Sequence, residues 1–267
     1  MKKTLTLLTA LALLIGCASA LAETEIIVFA AASMTETLTE IAGRYMTAHP
    51  DVTVVCNFDS SGTLKTQIQE GAPCDLFISA AKKQMDQLDI DASPEVNTEG
   101  LDFVDRATRV DLLENRVTLA VPDGNPRGVE GFDQLAELLK AGDVLLAIGN
   151  SDVPVGQYTL KIFEYYGIDE AAIAGKLTYG SNVKEVTTQV AEHSVDCGII
   201  YGTDAFSAGL SVVDEATEAM CGGRVVYPAA VLKTAAQPLA AQDFLNWLQT
   251  DESAGVFASV GFTPLGH

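Results

Sequence analysis

From Glu25 onward, short apolar segments alternate with amphipathic segments of helical period, and this alternation constrains the fold more than any other feature. The first pair is typical. Residues 26–30 are apolar and rich in β-branched side chains, and residues 34–48 carry apolar side chains at helical spacing. Strands that alternate with helices along a chain form parallel sheets with helices packed on their faces. The sequence therefore predicts an α/β protein.

The alternation continues to the C-terminus and divides into two successive α/β units. Segments 116–121 and 224–232 are candidates for strands that cross between the units, and the last two helices are predicted to return to the first unit. The other strands are predicted at 52–58, 75–79, 144–148, 177–180, 196–201 and 211–213, and the other helices at 63–70, 82–88, 132–140, 155–166, 170–175, 183–192, 203–208, 238–249 and 251–260.

Residues 1–22 have the pattern of a secretory signal peptide and are excluded from the fold. Two lysines precede an apolar run, and small residues follow it. Residues 14–17 (LIGC) resemble a bacterial lipobox, in which Cys17 is lipidated after cleavage. Ordinary cleavage after the small residues at 18–22 is the alternative. Both interpretations predict an extracytoplasmic protein, in the periplasm or on the outer face of the cytoplasmic membrane.

The chain is strongly acidic. It has 36 acidic and 16 basic residues and a formal net charge of −20. Nucleic acid is excluded as a partner because phosphate binding needs basic patches. If the ligand is an anion, the site must hold it locally against the repulsive field of the whole chain.

The sequence carries no pattern of a catalytic site. Its three histidines, His49, His193 and His267, are far apart and lack metal or triad spacing. It also lacks a nucleophile elbow, a P-loop and a dinucleotide fingerprint. We therefore expect a protein that is not an enzyme, with no cofactor and no residues that ligate a bare metal cation.

Four cysteines follow the signal segment: Cys56, Cys74, Cys197 and Cys221. An oxidising compartment permits disulfides. Cys56 and Cys197, however, lie in strand-like segments, where a buried free thiol is equally natural. We expect core thiols, with a Cys56–Cys74 bridge as the alternative.

Residues 26–38 (IIVFAAASMTETL) run from a buried strand through a short turn into a helix. Ser33 and Glu36 have the spacing of a capping box, so we expect them to cap this helix. A helix N-terminus also offers unpaired N–H groups and the positive end of a dipole, which together can hold an anion. The turn is therefore a candidate wall of an anion site.

Three further strand-to-helix turns are similar, and ligands of open α/β sheets bind beyond the carboxyl ends of the strands. Taken singly, each turn is better explained as a helix cap. A hydrogen bond to an ionised acceptor contributes roughly 1.5–3 kcal/mol, so neutral donors alone could hold a small, fully deprotonated dianion. The candidate donors are the hydroxyls of Ser33, Ser61 and Tyr201 and the backbone N–H groups of Val155 and Val183.

A series of motifs resembles the periplasmic molybdate-binding proteins, which are the solute receptors of molybdate ABC transporters and type II solute-binding proteins. The series runs through nearly the whole mature chain in family order. The motifs are VFAAASM at 28–34, FDSSGTL at 58–64, GAPCDLFISA at 71–80, VPVGQY at 153–158, SNVKEV at 181–186, GIIYGTDA at 198–205, YPAAVL at 227–232 and VGFTPL at 260–265.

The resemblance implies a two-lobed α/β fold. Each lobe would be a mixed, mostly parallel sheet flanked by helices, and crossing hinge strands would join the lobes and let them close on a ligand. Lobe I would comprise residues 24–114 and 223–267, and lobe II residues 115–222.

The resemblance also implies a ligand and partners. The ligand would be tetrahedral molybdate or tungstate, with the metal bound as its oxyanion by Ser33, Ser61, Val155, Val183 and Tyr201. The family often has serine in place of Ala32 and alanine in place of Val155; neither change removes a predicted donor. The partners would be the permease and ATPase subunits of an ABC importer, and we expect a monomer. The alternative is a receptor for another tetrahedral oxyanion, such as sulfate or phosphate.

Overall fold

The computed structural model describes residues 24–265, so the predicted signal segment with Cys17, and His267, lie outside the described residues. The strands are β1 Thr24–Ala31, β2 Val52–Asp59, β3 Leu76–Ile78, β4 Val110–Asn115, β5 Val117–Val121, β6 Leu146–Gly149, β7 Leu177–Gly180, β8 Cys197–Tyr201, β9 Ser211–Glu215, β10 Val225–Val231 and β11 Thr263–Pro264. The α-helices are α1 Thr35–Ala48, α2 Ser61–Gln69, α3 Lys82–Asp86, α4 Phe132–Ala141, α5 Pro154–Tyr165, α6 Val183–Ala191, α7 Gly202–Ala208, α8 Glu218–Cys221, α9 Pro238–Leu248 and α10 Asp251–Ser259. Short 3₁₀ helices span Ala32–Met34 and Ala171–Lys176.

The first sheet has the strand order β11-β4-β10-β3-β1-β2. β1 pairs parallel with β2 and β3, and β10 pairs antiparallel with β3 and β4. Alternate residues of β1 enter two different apolar clusters. Val28 packs in the cluster that contains Leu38 of α1, and Phe29 packs in the cluster that contains Leu64 of α2. The strand is covered on both faces, which explains its continuous apolar sequence.

The second sheet has the order β7-β6-β8-β5-β9, in which β6 pairs parallel with β7 and β8 while β5 pairs antiparallel with β8 and β9. The prediction of two mixed sheets flanked by helices is confirmed. Parallel pairing is less extensive than predicted. Within residues 24–265, parallel pairing is confined to β1–β2, β1–β3, β6–β7 and β6–β8. The reason is that the strands next to the two points where the chain passes between the sheets run antiparallel to their neighbours.

The chain passes from the first sheet to the second at a single residue, Arg116, between β4 and β5. The prediction that 116–121 and 224–232 cross between the units is wrong: β5 belongs to the second sheet and β10 to the first, and the return passes through α8. β4 was not predicted, because its sequence VDLLEN mixes charged with apolar side chains. Asn115 Oδ1 accepts a hydrogen bond from the Arg116 N–H at 2.8 Å and thereby holds the crossing.

We call the first sheet with its helices α1, α2, α3, α9 and α10 the first lobe, and the second sheet with α4 to α8 the second lobe. The predicted lobe boundaries in sequence stay a prediction. Within the described part of the chain, no helix is long and apolar enough to cross a membrane.

All four cysteines of the described chain are free thiols. Cys56 lies on β2 and Cys74 lies just before β3, and β1 separates these two strands in the sheet. Burial raises the pKa of Cys56 to about 11 and that of Cys74 to about 12. The structure agrees with the expectation of core thiols and not with the alternative bridge.

Candidate functional site

A small cavity lies between the two lobes, where β1, β2 and β8 end and α2, α5 and α6 begin. Its volume of about 10 Å³ is far below the roughly 300–1,000 Å³ typical of sites for drug-sized ligands, so the cavity suits a small ligand. Of the described residues that line it, none is basic. The lining residues are Ala31, Ala32, Ser33, Asp59, Ser60, Ser61, Ala80, Val153, Pro154, Val183 and Tyr201.

Four of the five predicted contact residues meet at this cavity, and Val155 does not line it. The Val155 side chain is fully buried, and its carbonyl accepts a hydrogen bond from Thr159 Oγ1 at 2.8 Å. Val153 and Pro154, the two residues before it, line the cavity instead. The contact predicted for Val155 is one of its backbone N–H with the ligand. This contact stays a prediction. The four that meet are Ser33, Ser61, Val183 and Tyr201.

Ser33 does not cap α1, so the predicted capping box is wrong. Ser33 lies inside the 3₁₀ helix Ala32–Met34, and Met34 occupies the N-cap position of α1 without a side-chain capping bond. The Ser33 hydroxyl instead lies 2.9 Å from the Tyr227 hydroxyl, a contact between residues 194 positions apart. A partner so distant in sequence leaves no local signal, which is why the short-range capping pattern misled.

The hydrogen bonds around Tyr227 allow an arrangement in which Ser33 keeps its proton for the cavity. Asn115 Nδ2 donates to the Tyr227 hydroxyl at 3.1 Å and to Thr203 Oγ1 at 2.9 Å. Burial holds the pKa of Tyr227 far above its usual value, so Tyr227 keeps its own proton. With one hydrogen bond accepted from Asn115, Tyr227 can donate that proton to Ser33 Oγ. Ser33 is then free to donate into the cavity.

Ser61 is fully buried and is the first residue of α2, whereas Ser60 is its cap. Ser60 Oγ accepts a hydrogen bond from the Thr63 N–H at 3.1 Å. Ser61 Oγ accepts one from the Ala80 N–H at 2.9 Å. Because this bond uses a lone pair and not the proton, the Ser61 hydroxyl can also donate to a ligand in the cavity.

Tyr201 is a lining residue of the cavity, and its hydroxyl has no hydrogen-bond partner within residues 24–265. Its side chain is 1% exposed, and its ring packs edge-on against Tyr227 at 5.8 Å between centroids. Burial raises the pKa of Tyr201 well above its usual value, so the hydroxyl stays protonated. A buried polar group without a partner costs roughly 1–3 kcal/mol, and a ligand acceptor in the cavity would remove that cost.

Asp59 and Ser60 also line the cavity and were missed by the sequence reasoning. Asp59 Oδ1 accepts a hydrogen bond from the Ser60 N–H at 2.7 Å and one from Asn182 Nδ2, across the cleft, at 3.4 Å. The prediction of a lining made of donors alone is therefore wrong, because Asp59 is an acceptor. The two residues directly precede Ser61 at the end of β2. This position is the sequence feature that could have identified them as lining residues.

The two lobes approach closely beside the cavity. A Cβ atom added at Gly62, in the first turn of α2, would lie 2.2 Å from the backbone oxygen of Asp152, which precedes α5. Gln84 Nε2 donates to Gln157 Oε1 at 3.2 Å, again from one lobe to the other. Gly62 is therefore required by the contact between lobes.

A partly buried ion cluster stands beside the cavity. Lys184 follows the lining residue Val183; its Nζ lies 2.8 Å from Glu36 Oε2 of the first lobe and 3.1 Å from Asp204 Oδ1 of the second. Burial raises the pKa of Asp204 to about 6, with Lys184 acting in the opposite direction. Burial lowers the pKa of Lys184, but Asp204 and Glu36 raise it more, so the lysine stays charged. Within residues 24–265, no cluster of three or more His, Cys, Asp or Glu residues could hold a metal cation.

Residues 26–263 match the family model described as bacterial extracellular solute-binding protein. The chain is 34% identical over 266 residues to YvgL of Bacillus subtilis (strain 168), assigned as an ABC transporter substrate-binding lipoprotein; the match covers 96% of this chain and 95% of YvgL. It is 33% identical over 246 residues to the molybdate-binding protein ModA of Escherichia coli (strain K12), with 90% of each chain covered. Among solved structures, it is similar to the periplasmic molybdate-binding protein of Azotobacter vinelandii. That superposition has a TM-score of 0.73 and 20% identity, and it covers 89% of this chain and 98% of that one.

Proposed function

This chain belongs to the family of bacterial extracellular solute-binding proteins, and we propose that it captures molybdate, and with it tungstate, in the cavity between its lobes. The family is one of solute receptors and not of enzymes. We propose further that the anion is delivered to the permease and ATPase subunits of an ABC importer, as the relationship to YvgL supports. The proposed contact residues are Ser33, Ser61, Val155, Val183 and Tyr201.

The observation that carries the proposal is the Tyr201 hydroxyl. It is buried and protonated, it belongs to a residue that lines the cavity, and it has no partner among residues 24–265. Such a group needs an acceptor, and an oxyanion supplies one. The Ser61 hydroxyl retains its proton, because its bond to the Ala80 N–H uses a lone pair, and the Ser33 hydroxyl retains its proton when Tyr227 is the donor of their shared bond. These three groups support a ligand that consists mainly of acceptors.

The chemistry of the lining also indicates which anions fit. Helices α2, α5 and α6 begin at the cavity, and their first N–H groups have no partner within the helix. Each terminus contributes roughly 0.3–1 kcal/mol to an anion in its first turn. An organic acid is usually bound by an arginine clamp, and among the described lining residues there is no arginine. A compact inorganic oxyanion is the better fit.

We also propose that the mature protein is anchored to the membrane through a lipid on Cys17. The LIGC sequence at 14–17 supports this, and the relative YvgL is assigned as a lipoprotein. Metabolic labelling of the expressed protein with a fatty-acid analogue would test the anchor. Loss of label in Cys17→Ser is expected.

Asp59 favours a second candidate ligand. Asp59 is one of the residues that line the cavity, and a carboxylate is an acceptor that pairs with a protonated oxyanion such as hydrogen phosphate. It repels a fully deprotonated dianion such as molybdate. The two candidate functions therefore predict opposite effects of the Asp59 carboxylate: it should strengthen the binding of hydrogen phosphate and weaken the binding of molybdate.

Isothermal titration with molybdate, tungstate, sulfate and phosphate tests both candidates. We expect tight one-site binding of molybdate and tungstate and much weaker binding of the other two anions. Asp59→Asn should tighten molybdate binding severalfold, because a like charge is removed at close range. Tight phosphate binding that Asp59→Asn abolishes would instead establish the second candidate.

A further inference from the structure

A basic groove runs along the flank of the interlobe cleft, next to the cavity. Its volume is about 390 Å³, and Lys82, Lys83, Lys161 and Arg224 line it. The first lobe supplies Lys82 and Lys83 from α3, and the second lobe supplies Lys161 from α5. The groove shares Pro154 with the lining of the cavity, and Ala80 of the cavity adjoins Ala81 of the groove. The two spaces are therefore neighbours.

The concentration of positive charge is unusual for this chain. The whole sequence has 16 basic residues and a net charge of −20, yet four bases line one groove, and of its described lining residues none is acidic. Two of the bases are neutralised: Lys82 pairs with Asp111 at 2.7 Å, and Arg224 pairs with Glu114. Lys83 and Lys161 form no ion pair with the described residues, so their charges face the groove uncompensated.

The Lys161 head group lies beside an aromatic ring of the groove. Its Nζ lies 5.4 Å from the centroid of the Tyr158 ring, within the range of a cation–π contact. The same nitrogen lies close to Gly222, where an added Cβ would meet it at 3.2 Å. The cation–π contact favours this position of the cation beside the groove.

These observations bear on how a dianion reaches the cavity. At physiological ionic strength the Debye length is about 8 Å, so distant acidic residues are screened and nearby charges dominate. A cleft lined by one sign of charge raises the association rate of an oppositely charged ligand by roughly 10- to 1,000-fold. Of the residues that line the cavity, none is basic. The electrostatic attraction that draws a dianion toward the cavity must therefore come from residues beside the cavity.

We propose that the basic groove is a weak capture site for small oxyanions, which Lys83 and Lys161 concentrate there before the anion moves past Pro154 into the cavity. The proposal rests on the proposed function, since it assigns an approach route to the same ligand. Under this proposal, affinity and association rate depend on different parts of the protein. The cavity, which has no basic residue among its described lining residues, binds the anion, and the groove determines the rate at which the anion reaches it.

The test is the rate of molybdate association with the full-length protein, measured by stopped-flow tyrosine fluorescence over a range of salt concentrations. At ~0.01 M salt, where the Debye length is about 30 Å, Lys83→Gln with Lys161→Gln should slow association roughly tenfold. Its dissociation rate should change less than about twofold, because most steering effects act on association. Near 1 M salt, where the Debye length is about 3 Å, wild type and variant should converge.

The matched control is Lys140→Gln with Lys176→Gln. It makes the same change in net charge at a surface cavity of the second lobe, bounded by α4 and the 3₁₀ helix Ala171–Lys176. This control should associate at nearly the wild-type rate. Equal slowing of control and groove variant would overturn the capture site, since only the global charge would then matter. Unchanged association in the groove variant, with molybdate still bound, would overturn it as well. Absence of binding of all four oxyanions by the wild type would instead overturn the proposed function.

Discussion

Lys184 Nζ lies 2.8 Å from Glu36 Oε2 and so joins α6 of the second lobe to α1 of the first lobe. The same nitrogen reaches the buried Asp204 of its own lobe at 3.1 Å. One lysine therefore links a carboxylate that is half exposed to one that is fully buried. These two contacts have different consequences, because the first depends on the approach of the lobes and the second does not.

Removing the contact between lobes should weaken ligand binding slightly. Glu36→Gln leaves the Lys184–Asp204 pair intact and is expected to raise the Kd for molybdate up to about fivefold, since partly exposed pairs contribute roughly 0.2–1 kcal/mol. The effect should shrink at high salt. Titration calorimetry at two salt concentrations measures both the change in the Kd and its dependence on salt. Glu40→Gln, which removes the Arg44 partner within α1, is the control and should leave the Kd unchanged. A larger effect of Glu40→Gln would contradict the assignment.

The buried carboxyl gives a pH dependence of stability. Burial raises the pKa of Asp204 to about 6, and the unfolded value is about 3.9. The folded chain thus binds this proton more tightly than the unfolded chain. The stabilisation is fully present below about pH 4 and is lost as the pH rises through about 6, by an amount on the order of 2–3 kcal/mol.

Asp204→Asn removes this titration. Relative to wild type, its free energy of unfolding should therefore increase as the pH rises from about 4 to about 7. Urea denaturation of both proteins across that range gives the difference, in which the other titrating groups cancel. A difference that does not vary with pH would show that Asp204 ionises alike in the folded and unfolded chains.

Substitution of Gly62 should separate binding from stability. In Gly62→Ala the new methyl group would lie 2.2 Å from the Asp152 oxygen, so the lobes could not approach as they do, and we expect molybdate affinity to fall by at least tenfold. Stability without ligand should not fall, because alanine is favoured over glycine in a helix by roughly 0.5–1 kcal/mol. Thermal denaturation and calorimetry measure the two quantities.

Gly43→Ala is the matched control for this substitution. Gly43 lies in α1, and a Cβ added there meets nothing within 4 Å. It should raise stability and leave affinity unchanged. If Gly62→Ala bound molybdate as tightly as Gly43→Ala, the close approach at Asp152 would have no part in binding.

Tyr201, which lines the cavity, and Tyr227, which bonds to the lining residue Ser33, should respond in opposite ways. Tyr201→Phe removes a hydroxyl without a partner among the described residues, so ligand-free stability should hold or rise while molybdate affinity falls roughly 10- to 100-fold, as expected for a charge-assisted hydrogen bond of about 1.5–3 kcal/mol. Tyr227→Phe breaks the contacts with Ser33 and Asn115 and should lower stability by roughly 1–3 kcal/mol. Denaturation and calorimetry on both variants make the comparison. Lower stability of Tyr201→Phe would mean that its hydroxyl is already satisfied in the protein.

The alternation of strands and helices predicted an α/β protein, and the family resemblance implied two mixed sheets. Four residues that meet at the cavity could be proposed from the sequence, because strand-to-helix turns have local signatures. It did not reveal what those residues contact. Ser33 bonds to Tyr227 and Ser61 to Ala80, and neither partner lies within the helical turn that a capping pattern examines. Asp59 was overlooked because the sequence places it in the turn that follows the strand at 52–58, and only the tertiary fold brings its carboxylate to Asn182 of the opposite lobe.

The hydrogen-bonded series from Ser33 through Tyr227 ends at Asn115, whose neighbour Arg116 carries the backbone from one lobe to the other. Thermodynamic coupling between two sites is reciprocal. If an anion that engages Ser33 favours one geometry at this crossover, then imposing that geometry must strengthen anion binding by the same free energy. Asn115 is thus a position from which affinity can be tuned remotely, without altering any group that the anion touches.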